Sequence, residues 1–115
     1  VQWIAPIAIG GSFLHYFQVA ELYFVYIIQS EVDSSFYVGF TQNLVKRLEL
    51  HNDSDLNQGV TRHKMPWRYF FTIRVPDKST AIKIEKHIKR MKSQSYILNL
   101  KKYPEMSEKL LKKYS

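Results

Sequence analysis

Three short segments rich in aromatic and β-branched residues predict the strands of one sheet. The run YFVYIIQ at residues 23–29 is apolar at nearly every position, which predicts a strand buried on both faces. A short polar turn separates it from FYVGFT at residues 36–41, and so short a connection predicts an antiparallel hairpin. The segment WRYFFTIRV at residues 67–75 predicts a third strand.

A helix is predicted between the second and third of these strands. It spans about residues 43–51, where Leu44, Val45 and Leu48 recur at helical spacing and form a face expected to be buried. The polar segment that follows, NDSDLNQGVTRHKMP at residues 52–66, is unusually long for a simple connection. We therefore expect this segment either to serve a function or to lack order.

Further helices are predicted after the third strand, at about residues 78–91 and 94–101 and again beyond Pro104. The order of elements is then ββαβα followed by additional C-terminal helices. This order indicates the α/β (α+β) class, with a small three-stranded antiparallel sheet flanked by helices. A chain of 115 residues suits one domain, which we expect to occupy residues 22–115.

The first 21 residues, VQWIAPIAIGGSFLHYFQVAE, have a different character. They are largely apolar, but Pro6, Gly10 and Gly11 interrupt the run, which is shorter than the roughly 20 apolar residues of a membrane helix. The run also lacks the basic start of a secretory signal, although a truncated signal or anchor stays an open alternative. We expect residues 1–21 to be a dispensable extension outside the domain, and we expect no membrane association.

The absence of cysteine restricts the chemistry and the setting of the protein. No disulfide and no thiolate zinc site can form, because the chain contains no cysteine. A cytoplasmic location fits this composition, since disulfides are typical of oxidising compartments.

Basic residues are concentrated in the later part of the chain. The formal net charge is +7, yet residues 1–45 contain three acidic and no basic residues and so carry a net charge of −3. The remaining residues carry a net charge of +10, much of it in the predicted C-terminal helices. A one-sided basic surface attracts polyanions such as nucleic acids, although a solvated lysine-rich helical face would have the same composition.

The second strand combines a core face with a candidate functional face. Side chains of a strand alternate between faces, so Phe36, Val38 and Phe40 are expected in the core, while Tyr37 and Gly39 share the other face. A glycine beside a tyrosine would let a ligand or another backbone approach closely. The alternative is a glycine that serves a bulge or the end of the strand.

Two phenols, an arginine and a histidine are expected to meet beside this strand. Arg47 and His51 are four residues apart on the predicted helix and share a face that borders the sheet. The hairpin is expected to place Tyr26 of the first strand beside Tyr37 of the second. A guanidinium in such a place can hold a phosphate with its forked donors.

One acidic residue on the helix at 78–91 stands out. Glu85 borders the apolar face that Ala81, Ile84 and Ile88 form, and a carboxylate at such a border needs a cation or a metal ion as its partner. Lys89, one turn further along the helix, is a ready alternative to a metal ion.

The motifs together resemble the GIY-YIG nuclease family. FVY at residues 24–26 stands at the first motif, and YVG at residues 37–39 is similar to the second. NLVKRLELHN at residues 43–52 resembles the helix of the family that carries its arginine and histidine, and Glu85 matches its metal-binding glutamate. The segment RHKMPWRYFF resembles the small stand-alone, single-domain members, which are similar to the nuclease domains of the structure-specific endonuclease and of the DNA-repair excinuclease.

The resemblance implies a metal-dependent DNA endonuclease that hydrolyses phosphodiester bonds in branched or damaged DNA, a role in DNA repair. It implies that Glu85 holds one divalent ion, Mg²⁺ or Mn²⁺, and that Tyr26 accepts the proton of the attacking water. By the same resemblance, Tyr37 orients water or phosphate, Arg47 neutralises charge in the transition state, and His51 shuttles a proton or bonds a phosphate.

The resemblance also implies a nucleic-acid surface and raises an alternative. We expect the DNA backbone to contact a set of basic residues, namely Arg62, His63, Lys64, Lys89, Arg90 and Lys92. The alternative function is a non-catalytic nucleic-acid-binding module of the same fold. DNA is the expected partner, RNA stays open, and a protein partner or a homodimer is compatible with the sequence.

Overall fold

The computed structural model describes residues 22–115, in which one three-stranded sheet organises the fold. The central strand β1 (Tyr23–Ser30) pairs antiparallel with β2 (Phe36–Thr41) on one side and with β3 (Trp67–Val75) on the other. Helices flank the sheet, so the predicted α+β class with a three-stranded antiparallel sheet is confirmed. The predicted extension at residues 1–21 lies outside the described residues.

The helices lie close to the positions predicted from hydrophobic periodicity. In chain order the helical elements are α1 (Leu44–His51), a 3₁₀ turn (Val60–Lys64), α2 (Lys78–Met91), α3 (Gln94–Lys102) and α4 (Pro104–Tyr114). Among residues 22–115, none of these helices is long and apolar enough to cross a membrane.

Side-chain caps determine where three of the helices begin. Asn43, Asp77 and Ser93 directly precede α1, α2 and α3, and the side-chain oxygen of each accepts a backbone N–H of the first turn. The cap at Asn43 fixes the start of α1, and with it the positions at which this helix presents Arg47 and His51 to the sheet.

The two faces of the sheet are covered by two separate hydrophobic clusters. The larger cluster lies between the sheet and the helices α2, α3 and α4, and its buried members include Val25, Ile27, Val38, Ile73, Ile84, Ile88, Leu100 and Leu110. The smaller cluster lies on the opposite face, where Leu44 and Leu48 of α1 pack against Tyr26, Ile28, Tyr37, Trp67 and Tyr69. The alternation predicted for the second strand agrees with this division, since Val38 belongs to the larger cluster and Tyr37 to the smaller.

The prediction that Val45 belongs to the buried face of its helix is wrong. Its side chain is 59% exposed, whereas Leu44 and Leu48 are partly buried against the sheet. The helix has only eight residues and contacts the sheet along a narrow arc, so Val45 lies beyond the contact and lines an open surface groove.

The long segment between α1 and β3 is ordered by its own polar side chains. The Asn52 side chain donates a hydrogen bond to the Trp67 carbonyl at 2.9 Å and accepts one from the Trp67 N–H at 2.6 Å. The 3₁₀ turn occupies its second half. Of the two expectations for this segment, function or lack of order, the second is therefore wrong.

Candidate active site

Tyr26 is the most deeply buried residue of the candidate site, and Gly39 makes room for it. The register of the hairpin places Tyr26 opposite Gly39, so that Tyr37 is a diagonal neighbour and not the direct partner. A Cβ atom at Gly39 would lie 2.6 Å from the Tyr26 hydroxyl oxygen and 2.7 Å from Cζ, closer than real contacts allow. The space that the glycine leaves is thus filled by the Tyr26 phenol, which differs from both interpretations drawn from the sequence.

His51 meets the Tyr26 hydroxyl at the C-terminal end of α1. Its Nε2 atom lies 2.8 Å from the Tyr26 hydroxyl oxygen, and its Nδ1 atom lies 2.9 Å from Oγ1 of Thr61. The imidazole is buried, and burial together with the positive charge of Arg47 lowers the pKa of His51. His51 is therefore neutral at neutral pH and can donate one hydrogen bond and accept another.

Tyr37, on the edge strand β2, lies beside the Tyr26–His51 pair. Its ring centroid lies 5.4 Å from that of His51 and 6.4 Å from that of Trp67, both in edge-to-face arrangements. Tyr26, Tyr37 and His51 thus form one continuous group of side chains on the face that α1 covers, which we call the tyrosine–histidine cluster.

Arg47 and Glu85 both act electrostatically on the Tyr26 hydroxyl. Burial raises the pKa of Tyr26 to about 12, against an opposing effect of the positive charge of Arg47. The negative charge of Glu85 contributes a smaller increase. Since these effects need proximity, the five residues predicted as catalytic or metal-binding converge on one region of the molecule; their chemical roles stay a prediction.

Glu85 approaches this region from the other side of the sheet. It lies on α2, with its side chain only 15% exposed, and its Oε2 atom is 3.2 Å from Nζ of Lys89. The same Nζ atom lies 5.7 Å from the centroid of the Tyr37 ring. Lys89 is the alternative partner expected from the helical spacing. It therefore holds the Glu85 carboxylate beside the tyrosine–histidine cluster.

The donor set fits a hydrated hard cation better than a fully protein-coordinated metal ion. Among residues 22–115, no three His, Cys, Asp or Glu side chains lie close enough together to hold a metal ion. Structural zinc sites need such sets, whereas Mg²⁺ keeps several waters and is commonly held by one or two carboxylates and substrate phosphates. The single carboxylate of Glu85 is compatible with Mg²⁺ or Mn²⁺.

The six basic residues predicted to contact nucleic acid fall into three places. Arg62, His63 and Lys64 are exposed on the 3₁₀ turn, directly after the buried Thr61 that contacts His51. Lys89 and Lys92 line an open groove of about 550 Å³ that runs past Tyr37. Arg90 is exposed but does not line this groove. Burial lowers the pKa of His87, and the charges of Lys113 and Arg90 lower it further.

Several residues of the site were not identified from the sequence. Asn57 and Thr61, in the segment between α1 and β3, are buried and form hydrogen bonds to His51. Tyr69 lies edge-on to the Tyr26 ring at 5.8 Å, and its hydroxyl donates to the Leu44 carbonyl at the start of α1. The unusual length of that segment was the available signal for the first two.

Comparison with known proteins gives two relatives over most of the described part of the chain. The chain is 35% identical over 83 residues to "Structure-specific endonuclease subunit SLX1" of Meyerozyma guilliermondii, a match that covers 67% of this chain and 28% of that protein. It is 30% identical over 82 residues to a "UPF0213 protein" of Syntrophus aciditrophicus, a match that covers 71% of this chain and 93% of the relative. The chain thus spans less than a third of the SLX1 protein and nearly all of the bacterial relative.

A family model also matches this chain. The model described as "GIY-YIG catalytic domain" matches residues 22–102, which is more than half of the chain. The matched region runs from the residue before β1 to the end of α3 and includes every residue of the tyrosine–histidine cluster as well as Arg47 and Glu85. The chain therefore belongs to the GIY-YIG family of nuclease domains.

Proposed function

We propose that this protein is a divalent-metal-dependent endonuclease that hydrolyses phosphodiester bonds in branched or damaged DNA. The observation that carries the proposal is the convergence of a buried phenol–imidazole pair, Tyr26 and His51, with Arg47 and with the carboxylate of Glu85. This arrangement supplies a proton acceptor, a fixed positive charge and an anionic anchor for a cation in one region, as metal-assisted phosphodiester hydrolysis requires.

In the proposed reaction the oxygen of a water molecule attacks phosphorus while the bond from phosphorus to the leaving oxygen breaks. The proton of the water passes to the oxygen of Tyr26, which must first be in its phenolate form, and the leaving oxygen takes a proton from solvent. The guanidinium of Arg47 stabilises the negative charge on the phosphate as the transition state forms. Tyr37 orients the phosphate or the water beside it.

Glu85 is the residue that would hold the divalent ion. When bound, Mg²⁺ or Mn²⁺ would stabilise charge on the phosphate oxygens and on the leaving oxygen as a Lewis acid. Lys89 must then release the carboxylate with which it pairs at 3.2 Å. The released ammonium group can interact with the DNA backbone in the groove past Tyr37, together with Lys92.

The nucleic-acid surface in this proposal combines the groove with the 3₁₀ turn. Arg62, His63 and Lys64 are exposed next to the site, and phosphate contacts from such residues position a duplex without specifying its sequence. The SLX1 relative is described as a subunit, so we extend the proposal to a protein partner that selects the DNA structure.

A nicking assay tests the proposal. Purified protein is incubated with supercoiled, branched and single-stranded DNA, and with RNA, with and without Mg²⁺ or Mn²⁺. We expect metal-dependent cleavage of DNA that Glu85→Gln and Arg47→Ala reduce by at least about 100-fold. The matched controls are Glu108→Gln and Arg74→Ala, which remove an exposed charge of the same type elsewhere on the molecule.

Two outcomes would contradict endonuclease activity. Equal cleavage by the wild-type protein and both site variants would indicate a contaminating nuclease. Salt-sensitive DNA binding without cleavage under any metal condition would support the alternative, a non-catalytic nucleic-acid-binding module. The Glu85–Lys89 ion pair suits that alternative, because it satisfies the carboxylate without a metal ion.

A further inference from the structure

A small cavity lies between the helices α2, α3 and α4. Its volume is about 300 Å³, and it is lined by His87, Tyr96, Met106, Lys109, Leu110 and Lys113. His87 lies two residues after Glu85, so the two side chains leave α2 in nearly opposite directions. The cavity shares no lining residue with the groove past Tyr37 and is therefore separate from the candidate active site.

The charges around this cavity are positive. Lys109 and Lys113 lie one turn apart on α4 and are exposed, whereas the two acidic residues of that helix do not line the cavity. Arg90 of α2 lies outside the cavity, yet its positive charge acts on His87, as that of Lys113 does. Within residues 22–115, none of these three cations forms an ion pair. The cavity therefore carries a positive potential that the described part of the chain does not neutralise.

One nitrogen of the His87 ring is held by the protein and the other is available. Nδ1 lies 2.8 Å from the Tyr114 hydroxyl oxygen, and the two ring centroids are 5.6 Å apart. The Tyr96 ring lies on another side of the imidazole, with its centroid 6.1 Å away. In the described part of the chain, Nε2 has no hydrogen-bond partner, and it is not buried. This nitrogen can therefore bind a ligand in the cavity.

The surroundings of His87 favour a bound anion. The pKa of His87 is lowered first by burial and then by the positive charges of Lys113 and Arg90. The polar groups nearest to it are Arg90 on α2, the Tyr96 phenol on α3, and Lys109, Lys113 and the Tyr114 phenol on α4. An anion in the cavity would offset the repulsion among the cations and would raise the pKa of His87.

We propose that this cavity is an anion site that binds a phosphate group, carried by a free phosphate or nucleotide or by a nucleic acid. Phosphate accepts hydrogen bonds from several directions, which suits the ammonium groups of Lys109 and Lys113 and the imidazole nitrogen. A planar carboxylate is matched best by the forked donors of arginine, and Arg90 does not line the cavity. Tyr96 adds an aromatic wall on which a nucleobase can stack. Binding at this site does not depend on the proposed endonuclease function.

The imidazole resonances of His87 report binding without any cleavage assay. In ¹⁵N-labelled protein at constant pH and ionic strength, long-range ¹H–¹⁵N spectra are recorded during separate titrations with inorganic phosphate, adenosine 5′-monophosphate and a single-stranded oligonucleotide without a terminal phosphate. We expect saturable shifts of the His87 resonances with at least one of these ligands. A pH titration at saturating ligand should then give a higher pKa for His87 than a titration without ligand, because the bound anion stabilises the imidazolium.

Variants on α4 separate a site from a general effect of charge. Lys109→Met and Lys113→Met should each raise the Kd for the ligand by about threefold to fivefold, because each removes a positive charge beside the bound phosphate. The matched control is Lys112→Met, which removes an exposed lysine of the same helix that does not line the cavity. All three variants lower the net charge by one, so only a local site predicts that Lys112→Met keeps the wild-type Kd.

The three ligands also identify the source of the phosphate. Tighter binding of adenosine 5′-monophosphate than of inorganic phosphate would indicate a nucleotide, equal binding the phosphate group alone, and tightest binding of the oligonucleotide a nucleic acid; each result supports the site. A His87 response that never saturates, or an equal loss in Lys112→Met and Lys113→Met, would indicate mere screening of a lysine-rich surface and overturn the inference. Phosphate binding by a protein that cuts no DNA would refute only the endonuclease function, and cleavage without a His87 response would refute only this site.

Discussion

Replacing Gly39 with alanine should disturb the candidate site from within. The added Cβ atom would lie 2.6 Å from the Tyr26 hydroxyl oxygen, and ordinary contact begins near 3.4 Å, so the phenol must move by about 0.8 Å. Tyr26 is 1% exposed and its ring is packed within the smaller hydrophobic cluster. The ring therefore cannot move into solvent, and the neighbouring side chains must move with it. Overpacking of this kind costs about 1–3 kcal/mol, and loss of the bond to His51 adds about 1 kcal/mol.

These magnitudes convert into two measurable effects. Together these costs amount to about 2–4 kcal/mol, and for a domain of this size each kcal/mol lowers Tm by about 4–8 °C, so thermal denaturation should show a decrease of roughly 8–30 °C. A displacement approaching 1 Å at a reacting group can reduce the rate by about 100-fold. The cleavage rate should therefore fall by about that factor, at a temperature at which the variant is still folded.

Gly59→Ala is the matched control for this prediction. A Cβ atom at Gly59 would be 3.7 Å from its nearest neighbour, an oxygen of Asn57, and the backbone there is extended with φ of −96°. We expect this variant to keep the wild-type Tm and rate. A Gly39→Ala protein with unchanged Tm and unchanged rate would refute the argument that Tyr26 requires a glycine opposite it.

Three further predictions concern protons and the metal ion. Since burial raises the pKa of Tyr26 to about 12, the phenolate fraction and the cleavage rate should rise about tenfold per pH unit between about pH 7 and pH 9, and a Tyr26→Phe variant with the same slope would contradict this role. Lys89→Met should strengthen Mn²⁺ binding by about twofold to fivefold in calorimetry, because it frees Glu85, whereas Lys86→Met should have no effect. The lowered pKa of His51 means that the unfolded state takes up a proton more readily than the folded state. The free energy of unfolding should thus fall as the pH drops below about 6.5, and His51→Gln should show a smaller decrease in melts between about pH 7.5 and pH 5.

Hydrophobic periodicity predicted the elements of the fold because each strand and helix carries a clear apolar pattern. Val45 is the exception: it follows the helical pattern, but the short helix α1 contacts only a narrow arc of the sheet. The family assignment drawn from the motifs is confirmed by the match over residues 22–102. The order and spacing of several motifs together indicated the family, whereas no single motif would have been sufficient.

The surroundings of the tyrosine–histidine cluster were harder to predict. The exact register of the hairpin decides that Tyr26 faces Gly39, and a polar turn of this length permits more than one register. Asn57 and Thr61 follow no periodic pattern, and nothing in a polar loop sequence distinguishes a buried hydroxyl from an exposed one. Their burial results from tertiary contacts with His51 and Trp67, which only the folded chain brings together.

The placement of the site across two hydrophobic clusters has a consequence for how the protein can evolve. The phenol–imidazole pair is supported by the smaller cluster under α1, whereas Glu85 is carried by α2 on the larger cluster. Under the proposed function, substitutions beneath α1 would therefore act mainly on the proton affinity of Tyr26, and substitutions beneath α2 mainly on the affinity of Glu85 for a cation. A lineage could then lose the proposed turnover through drift in one of these layers while the other stays intact.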